Sequence, residues 1–307
     1  MTAVINQRRS AFSDRLPNFQ QTLPRHLVHR AAVSEVFVTS LAAVQDGVFQ
    51  VGAQWPRAHQ FYGPKLGLHD PMLLPETIRQ AGLAVAHQYY NVPMGSQFLM
   101  REISYGIDEE GLLLDCRPAD VVITLVAHDV RTRGKTVAGM TFEIELFRAG
   151  ARVGTGRVAW RCVSAATYGR VRGDKAGNTA VTGNQPAPVG PHLVGRHLEA
   201  DVVLAPSAVD NLWLLRADTD HPVMFDHPVD HVPGMMAMEA ARQAALLAAG
   251  DPHAVPVSGT FVFDHYIELD ELCVVAGEPA ADGHVRVKFE QSGRTAVVGD
   301  LELLTVA

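Results

Sequence analysis

Apolar and polar positions alternate in short runs along most of the chain, a pattern that predicts β-strands. Two runs begin at Val33 and Gly47, and a similar pair begins at Glu199 and Asn211. Later runs form two groups, which read FLMREISY, VVITLVAH, GMTFEIELF and RVGTGRVAWRCV, and then GTFVFDHYIEL, ELCVVAGE, HVRVKFE and TAVVGDLELL. The chain is therefore predicted to be rich in strands that form antiparallel sheets.

A longer segment with helical character separates the early from the late strands in each half. These segments predict helices from about Met72 to Tyr90 and from about Gly234 to Ala249. Pro71 and Pro233 lie where the start of a helix tolerates proline. The second helix is rich in alanine, which favours close packing against a curved sheet.

The two halves are diverged copies of one unit. The motif HLVHR that begins at His26 recurs as HLVGR from His192. The two helices match at Glu76 and Glu239, Arg79 and Arg242, Gln80 and Gln243, and Ala81 and Ala244. Two strands, one long helix and about four strands, repeated in tandem, predict an α+β fold of the double hotdog type. In that fold an antiparallel sheet wraps a central helix in each half.

The predicted boundaries are an N-terminal extension (1–25), a first hotdog domain (26–164), a linker (165–191) and a second hotdog domain (192–307). The linker is rich in Gly, Ala, Asn and Pro without an apolar period. Its basic residues, which include Arg172, are expected to be solvated. The two domains are expected to form an intramolecular pseudo-dimer through the faces of their sheets, because each alone leaves a strand edge exposed.

Composition narrows the function classes. With 26 Lys and Arg against 33 Asp and Glu, the net charge is −7, which argues against general affinity for nucleic acid or an anionic membrane. Three widely separated cysteines without a CxxC pair predict a reducing cytosol. The start of the chain has no signal-peptide pattern, and no apolar run reaches about 18 residues. A cytoplasmic protein is expected.

The segment DHPVDHVPGMMAME, which ends at Glu239, resembles the active-site segment of the hotdog 3-hydroxyacyl-ACP dehydratases. Its spacing is shorter than theirs, and no histidine stands at the catalytic offset. A resemblance over nearly the whole chain is to the A-factor biosynthesis (AfsA-type) hotdog family. It rests on VHRAAVSEVFVT, VGAQWPRAHQFY, HDPMLLPETIRQ, GSQFLM and DHPVDHVPGMMAMEAARQAA.

This resemblance implies an acyltransferase of γ-butyrolactone-type signal biosynthesis. Its donor would be a β-ketoacyl thioester of an acyl carrier protein or CoA, and its acceptor the hydroxyl of dihydroxyacetone phosphate. By motif, the functional residues are Glu76, Glu239 and Arg242, to which the internal repeat adds Arg79. No cofactor is implied. The second copy is expected to be fully catalytic, since its Pro-Gly helix entry best resembles a thioester-binding hotdog.

Glutamate and arginine three residues apart share one face of a helix. The carboxylate would act as general base toward the hydroxyl, while the planar guanidinium would bind phosphate or a developing oxyanion. The alternative is a buried ion pair that only orients the helix. The two interpretations differ in the pKa of the glutamate. Burial raises this pKa and the arginine lowers it, so the role depends on which effect is larger.

Further candidates for substrate binding flank the helices. Arg57 is a candidate second phosphate contact, Gly234 leaves backbone N–H groups free at a helix start, and His227 and His231 are candidates for proton transfer. These two histidines lack the HExxH arrangement of zinc enzymes, so no metal is expected. A dehydratase or hydratase and a non-catalytic acyl-binding protein remain as rival functions.

Overall fold

The computed structural model describes residues 17–181 and 185–305. Residues 1–16 of the predicted N-terminal extension, 182–184 of the predicted linker and 306–307 lie outside this range. The first half contains β1 (Val38–Gln45), β2 (Val48–Trp55), α1 (Leu73–Tyr89), β3 (Gln97–Ile107), the short α2 (Glu109–Leu112), β4 (Ala119–Arg133), β5 (Thr136–Arg148) and β6 (Ala151–Val163). After α3 (Ala165–Arg172), the second half contains β7 (Leu204–Pro206), β8 (Leu212–Leu215), α4 (Gly234–Ala249), β9 (Val255–Phe263), β10 (Cys273–Pro279), β11 (His284–Gln291) and β12 (Arg294–Leu304).

All twelve strands belong to one antiparallel sheet, in the order β1-β2-β4-β5-β6-β3-β9-β12-β11-β10-β8-β7. Read outward from the centre, each half has the same strand order. The halves meet where β3 pairs with β9, from Glu102 opposite Val262 to Gly106 opposite Ser258. The predicted face-to-face packing is therefore wrong. The two halves instead pair edge to edge, because backbone hydrogen bonds join β3, the edge strand of the first half, to β9, the edge strand of the second.

Each long helix packs against the strands of its own half. Helix α1 contacts β1, β2, β3 and β6, and α4 contacts β7 and β9 to β12. Five alanines of α4, at positions 237, 240, 241, 244 and 245, are buried, so its backbone approaches the sheet closely. Buried side chains of both halves form one continuous hydrophobic core. Both helices lie where the sequence predicts them, within one residue at each end.

Helix α3 lies in the segment predicted to be an irregular linker. Arg172 at its end is buried, with two hydrogen bonds to Glu268 at 2.6 and 2.7 Å and its guanidinium over the ring of Tyr266. The expectation that Arg172 is solvated is wrong, because the acidic partners that bind it are distant in sequence. None of the helices in the described ranges combines the length and apolar character needed to cross a membrane.

Candidate active site

The carboxylate of Glu76 lies fully buried in the first turn of α1, between two arginines. Arg79, one turn further along the helix, donates from Nε to Oε2 at 2.9 Å and from Nη2 to Oε1 at 2.8 Å. Arg30 approaches Oε1 with Nε at 3.1 Å and Nη2 at 2.8 Å. Gln80 donates to the same oxygen at 2.7 Å. This group of four residues is the first Glu–Arg cluster.

The second Glu–Arg cluster repeats this arrangement on α4. Glu239 is fully buried and receives Nε and Nη2 of Arg242 at 2.9 and 2.8 Å. Arg196 donates from Nε at 3.0 Å and from Nη2 at 2.7 Å, one bond to each carboxylate oxygen. Gln243 adds a bond at 2.6 Å. Both predicted glutamates therefore hold two guanidinium groups each.

The glutamine of each cluster ties it to the chain that leads into the sheet. Gln80 donates to the carbonyl of Glu35 at 2.7 Å and accepts from the backbone N–H of Phe37 at 2.9 Å. Gln243 makes the same pair of bonds with Asp201 and Val203, at 2.8 and 3.0 Å. With its backbone contacts fixed, each glutamine orients its amide N–H toward the carboxylate.

Each cluster also reaches across to the other half. Arg30 donates from Nη1 to the carbonyl of Val223 at 3.0 Å, and Arg196 donates from Nη1 to the carbonyl of Phe61. Asp226 accepts the backbone N–H groups of Ala31 and Ala32 at 2.6 and 3.0 Å. Each cluster is therefore formed by side chains of one half and is hydrogen-bonded to the backbone of the other half.

The protonation state of the two glutamates follows from these contacts. Burial raises the pKa of Glu76, but the charges of Arg30 and Arg79 and the hydrogen bonds from Arg79 and Gln80 outweigh burial and hold it at about 2. The pKa of Glu239 is about 2 for the same reasons, with Arg196 and Arg242 as its partners. A carboxylate with so low a pKa is a weak proton acceptor at neutral pH. The arrangement is suited to orienting the guanidinium groups.

One nitrogen of each helix arginine remains available. Within the described part of the chain, Nη1 of Arg79 and Nη1 of Arg242 have no hydrogen-bond partner, since Nε and Nη2 contact the glutamate. The side chain of Arg79 is 18% exposed and that of Arg242 is 5% exposed. Each can therefore donate to an anionic ligand while it stays bound to its glutamate.

Neutral histidines flank the first cluster. Nδ1 of His87 lies 2.7 Å from the carbonyl of Val92, so this nitrogen must carry the proton. Nε2 of His87 then accepts from Nε2 of His29 at 2.8 Å. Burial, together with the charges of Arg79, His87 and His227, lowers the pKa of His29 to about 3. These rings add no positive charge near Arg79 at neutral pH.

The other predicted site residues lie apart from the glutamates. Arg57 is exposed on the loop after β2 and does not join either cluster. His227 is about half exposed, with Nδ1 3.5 Å from Asp226. His231 directs Nδ1 to Asp230 at 2.8 Å and to the hydroxyl of Tyr168 at 3.2 Å.

Gly234 is the first residue of α4, and Pro233 before it supplies no side-chain cap. A Cβ at Gly234 would overlap the terminal methyl of Met100 on β3. The helix start therefore packs closely against the end of the Met100 side chain, at the centre of the sheet. The uncapped N–H groups of the first turn favour negative charge nearby.

Sequence reasoning missed Arg30 and Arg196 as site residues. Arg30 is the last residue of the motif HLVHR, and Arg196 is the last residue of HLVGR. The repeat could have indicated their importance, because both copies have an arginine at this position. Their partners Glu76 and Glu239 are 46 and 43 residues away in sequence. No local pattern connects residues at that separation.

A cavity of about 170 Å³ opens in the second half. Apolar side chains supply most of its wall, including Leu215, Ala217, Val232, Ile267 and Leu269. None of the residues of the two Glu–Arg clusters lines it. Across the two described ranges, no three His, Cys, Asp or Glu side chains come together as a metal site would need.

Comparison of the sequence with known proteins identifies the family of the chain. The family model of the A-factor biosynthesis hotdog domain matches residues 12–164 and 178–307. A 2-oxo-3-(phosphooxy)propyl 3-oxoalkanoate synthase of Streptomyces virginiae is 43% identical over 279 residues, which cover 89% of this chain and 95% of that protein. A protein of the same name from Streptomyces coelicolor is 38% identical and covers 88% of each chain.

A 12:0-ACP thioesterase from Umbellularia californica has a similar fold, with a TM-score of 0.51 at 11% identity over 85% of this chain and 99% of that one. The two segments matched by the family model correspond to the two halves of the sheet, which confirms the predicted tandem hotdog. The chain therefore belongs to the A-factor biosynthesis hotdog family.

Proposed function

We propose that this protein is an acyltransferase that joins a β-ketoacyl group from a thioester to the hydroxyl of dihydroxyacetone phosphate. This is the first step toward a γ-butyrolactone-type signal. The relatives named above extend over nearly the full chain, and their name describes a phosphooxypropyl ester of a 3-oxoalkanoate. In the site, the observation that carries the proposal is the free Nη1 of Arg242, a buried cationic donor held in place by Glu239.

The reaction replaces a C–S bond with a C–O bond and an O–H bond with an S–H bond. The hydroxyl oxygen of the acceptor bonds to the thioester carbonyl carbon, the C–S bond breaks, and the hydroxyl proton leaves with the thiol. The arginines bind and orient the phosphate, which brings the hydroxyl of the same molecule to the carbonyl. Glu76 and Glu239 are positioning residues in this scheme, since their low pKa suits a permanent anion.

The N-terminal end of α4 is suited to binding the carbonyl group of the thioester. Its first-turn N–H groups are uncapped, and the positive end of the helix stabilises negative charge on the carbonyl oxygen as the new bond forms. The apolar cavity near Val232, two residues before this helix start, offers a surface of the kind that an acyl chain requires. Either an acyl carrier protein or CoA can present such a donor. Three unpaired cysteines support a reducing cytosol as the site of action.

The test is incubation of the protein with a β-ketoacyl thioester, with and without dihydroxyacetone phosphate, followed by mass spectrometry. We expect thiol release and the phosphorylated ester only when both substrates are present. Thiol release without the phosphate would identify a thioesterase. Conversion of a 3-hydroxyacyl thioester to its enoyl form would identify a dehydratase, and acyl binding without turnover would leave the non-catalytic binding protein.

A further inference from the structure

The two Glu–Arg clusters differ in a third cation. Lys65, on the loop between β2 and α1, donates from Nζ to the carbonyl of Pro252, which follows α4. Next to Arg196, the chain at Gly195 has a φ of +64° and leaves space for this ammonium group, since a Cβ there would lie 2.5 Å from Nζ. A residue of the first half therefore reaches the second cluster.

The charges around Lys65 are those of the second cluster. Its half-buried position and the positive charge of Arg242 lower its pKa to about 8, with a smaller contribution from Arg196. Asp70 and Asp251 act in the opposite direction and raise the pKa. Arg242 and Arg196 therefore lie close enough to Lys65 for their positive charges to disfavour its protonation.

The number of cations separates the two clusters. Around the second cluster, the three cations Lys65, Arg196 and Arg242 face the carboxylates of Glu239 and Asp70, with Asp251 also near Lys65.

Around the first cluster, the two cations Arg30 and Arg79 face two carboxylates, Glu76 and Asp226. The second cluster therefore offers an anion a lysine that the first cluster lacks.

The second cluster also has an unused donor. Arg242 is 95% buried at its side chain, yet its Nη1 has no partner among residues 17–181 and 185–305. This nitrogen is not one of the fully buried side-chain atoms that lack a partner in the described ranges, so it keeps contact with solvent and a ligand oxygen can reach it. Its contact with Glu239 fixes the guanidinium plane, so the direction of the free donor is set before any ligand arrives.

We propose that Lys65 and Arg242, with Arg196 beside them, bind the phosphate group of the acceptor, so that the second cluster and not the first receives the phosphorylated substrate. This inference rests on the proposed function. The ligand class is a phosphate monoester dianion, which matches an ammonium and a guanidinium group in the same region of the protein. Since Lys65 comes from the first half and the arginines from the second, neither half contains this site alone.

The test is calorimetric titration of the full-length protein with dihydroxyacetone phosphate in the absence of an acyl donor. We expect Lys65→Met to weaken binding by about 10- to 100-fold, the loss typical of a hydrogen bond between charged groups, and Lys65→Arg to recover part of it. The matched control is Lys135→Met in the exposed turn between β4 and β5, which should bind as the wild type does. Circular dichroism melting verifies that each variant is folded.

The pH dependence gives a second readout. Only the protonated ammonium binds the dianion, so above about pH 8 binding must first restore the proton to Lys65. Wild-type affinity should fall as pH rises through this range, and Lys65→Met should lack that decline. A folded Lys65→Met variant that binds the phosphate with wild-type affinity and pH dependence would overturn the assignment.

Product assays separate this inference from the function on which it rests. If wild-type protein binds dihydroxyacetone phosphate through Lys65 but forms no ester, the phosphate site stands and the acyltransferase proposal fails. If wild-type protein forms the ester and Lys65→Met has an unchanged KM for the phosphate, the proposal for Lys65 fails while the acyltransferase stands.

Discussion

At the scale of single residues, the two glutamates belong to the interior of the protein. We predict that Glu239→Gln lowers the free energy of unfolding by about 3–5 kcal/mol, because it removes the carboxylate that both buried guanidinium groups, of Arg196 and Arg242, contact directly. Urea denaturation measures the difference.

The control for this prediction is Glu278→Gln, which removes an exposed ion pair with Lys288 and should change the free energy of unfolding by less than about 1 kcal/mol. Equal effects of the two substitutions would contradict the structural role given to Glu239. If Glu239→Gln kept wild-type stability but lost activity, the carboxylate of Glu239 would instead take a direct part in the reaction.

Acid stability follows from the buried titratable groups. His29 and His69 have pKa values of about 3 and 4 in the folded protein, below the ordinary 6.5, chiefly because burial opposes protonation. Stability from their neutral forms is complete above pH 6.5 and declines as pH falls toward these values. Stability from Glu76 and Glu239 is complete above about pH 4.5 and declines toward pH 2.

We therefore predict that the melting temperature falls in two stages on acidification, first below pH 6.5 and more steeply below pH 4.5. Scanning calorimetry between pH 7 and pH 3 measures it. A melting temperature that stays constant over this range would contradict the pKa shifts of both sets of groups.

At the scale of elements, α1 and α4 were predictable because helix length, the preceding proline and the shared Glu-x-x-Arg-Gln signature are all local features. The residues that surround these helices in the folded protein were not predictable. Lys65 meets Pro252 across 187 residues, and Arg172 meets Glu268 across 96, so neither contact leaves a pattern in any window of the sequence. Helix α3 was missed for the same reason, since its contacts lie in the second half.

Arg172 is the residue that fastens α3. We predict that Arg172→Ala increases hydrogen exchange in residues 165–172 roughly 100-fold, because Glu268 and Asp230 lose the cation that binds both. Arg170→Ala is the control, since Arg170 is exposed and bonds only to Thr167 in this helix. Mass spectrometry of the exchanged peptides gives the result. Unchanged protection in Arg172→Ala would show that other contacts hold the helix.

At the scale of the whole molecule, the two halves share one sheet and one core, and each Glu–Arg cluster is hydrogen-bonded to the opposite half. We predict that a chain cleaved at a protease site inserted after Val181 remains a stable pair of fragments, because β3 and β9 stay paired and Arg30 and Arg196 still contact the opposite half. Size-exclusion chromatography measures this. Two separate, folded fragments would contradict the shared architecture.

Recognition of phosphate is the central claim, and the ratio of kcat/KM for dihydroxyacetone phosphate over dihydroxyacetone tests it most directly. A contact between guanidinium and phosphate in a desolvated site is worth on the order of 2–5 kcal/mol, so the wild-type ratio should be roughly 30- to 5,000-fold. In Arg242→Lys the ratio should fall sharply, because an ammonium cannot bind Glu239 and phosphate together as the planar guanidinium does. Equal kcat/KM values for the two acceptors in the wild-type protein would contradict the claim.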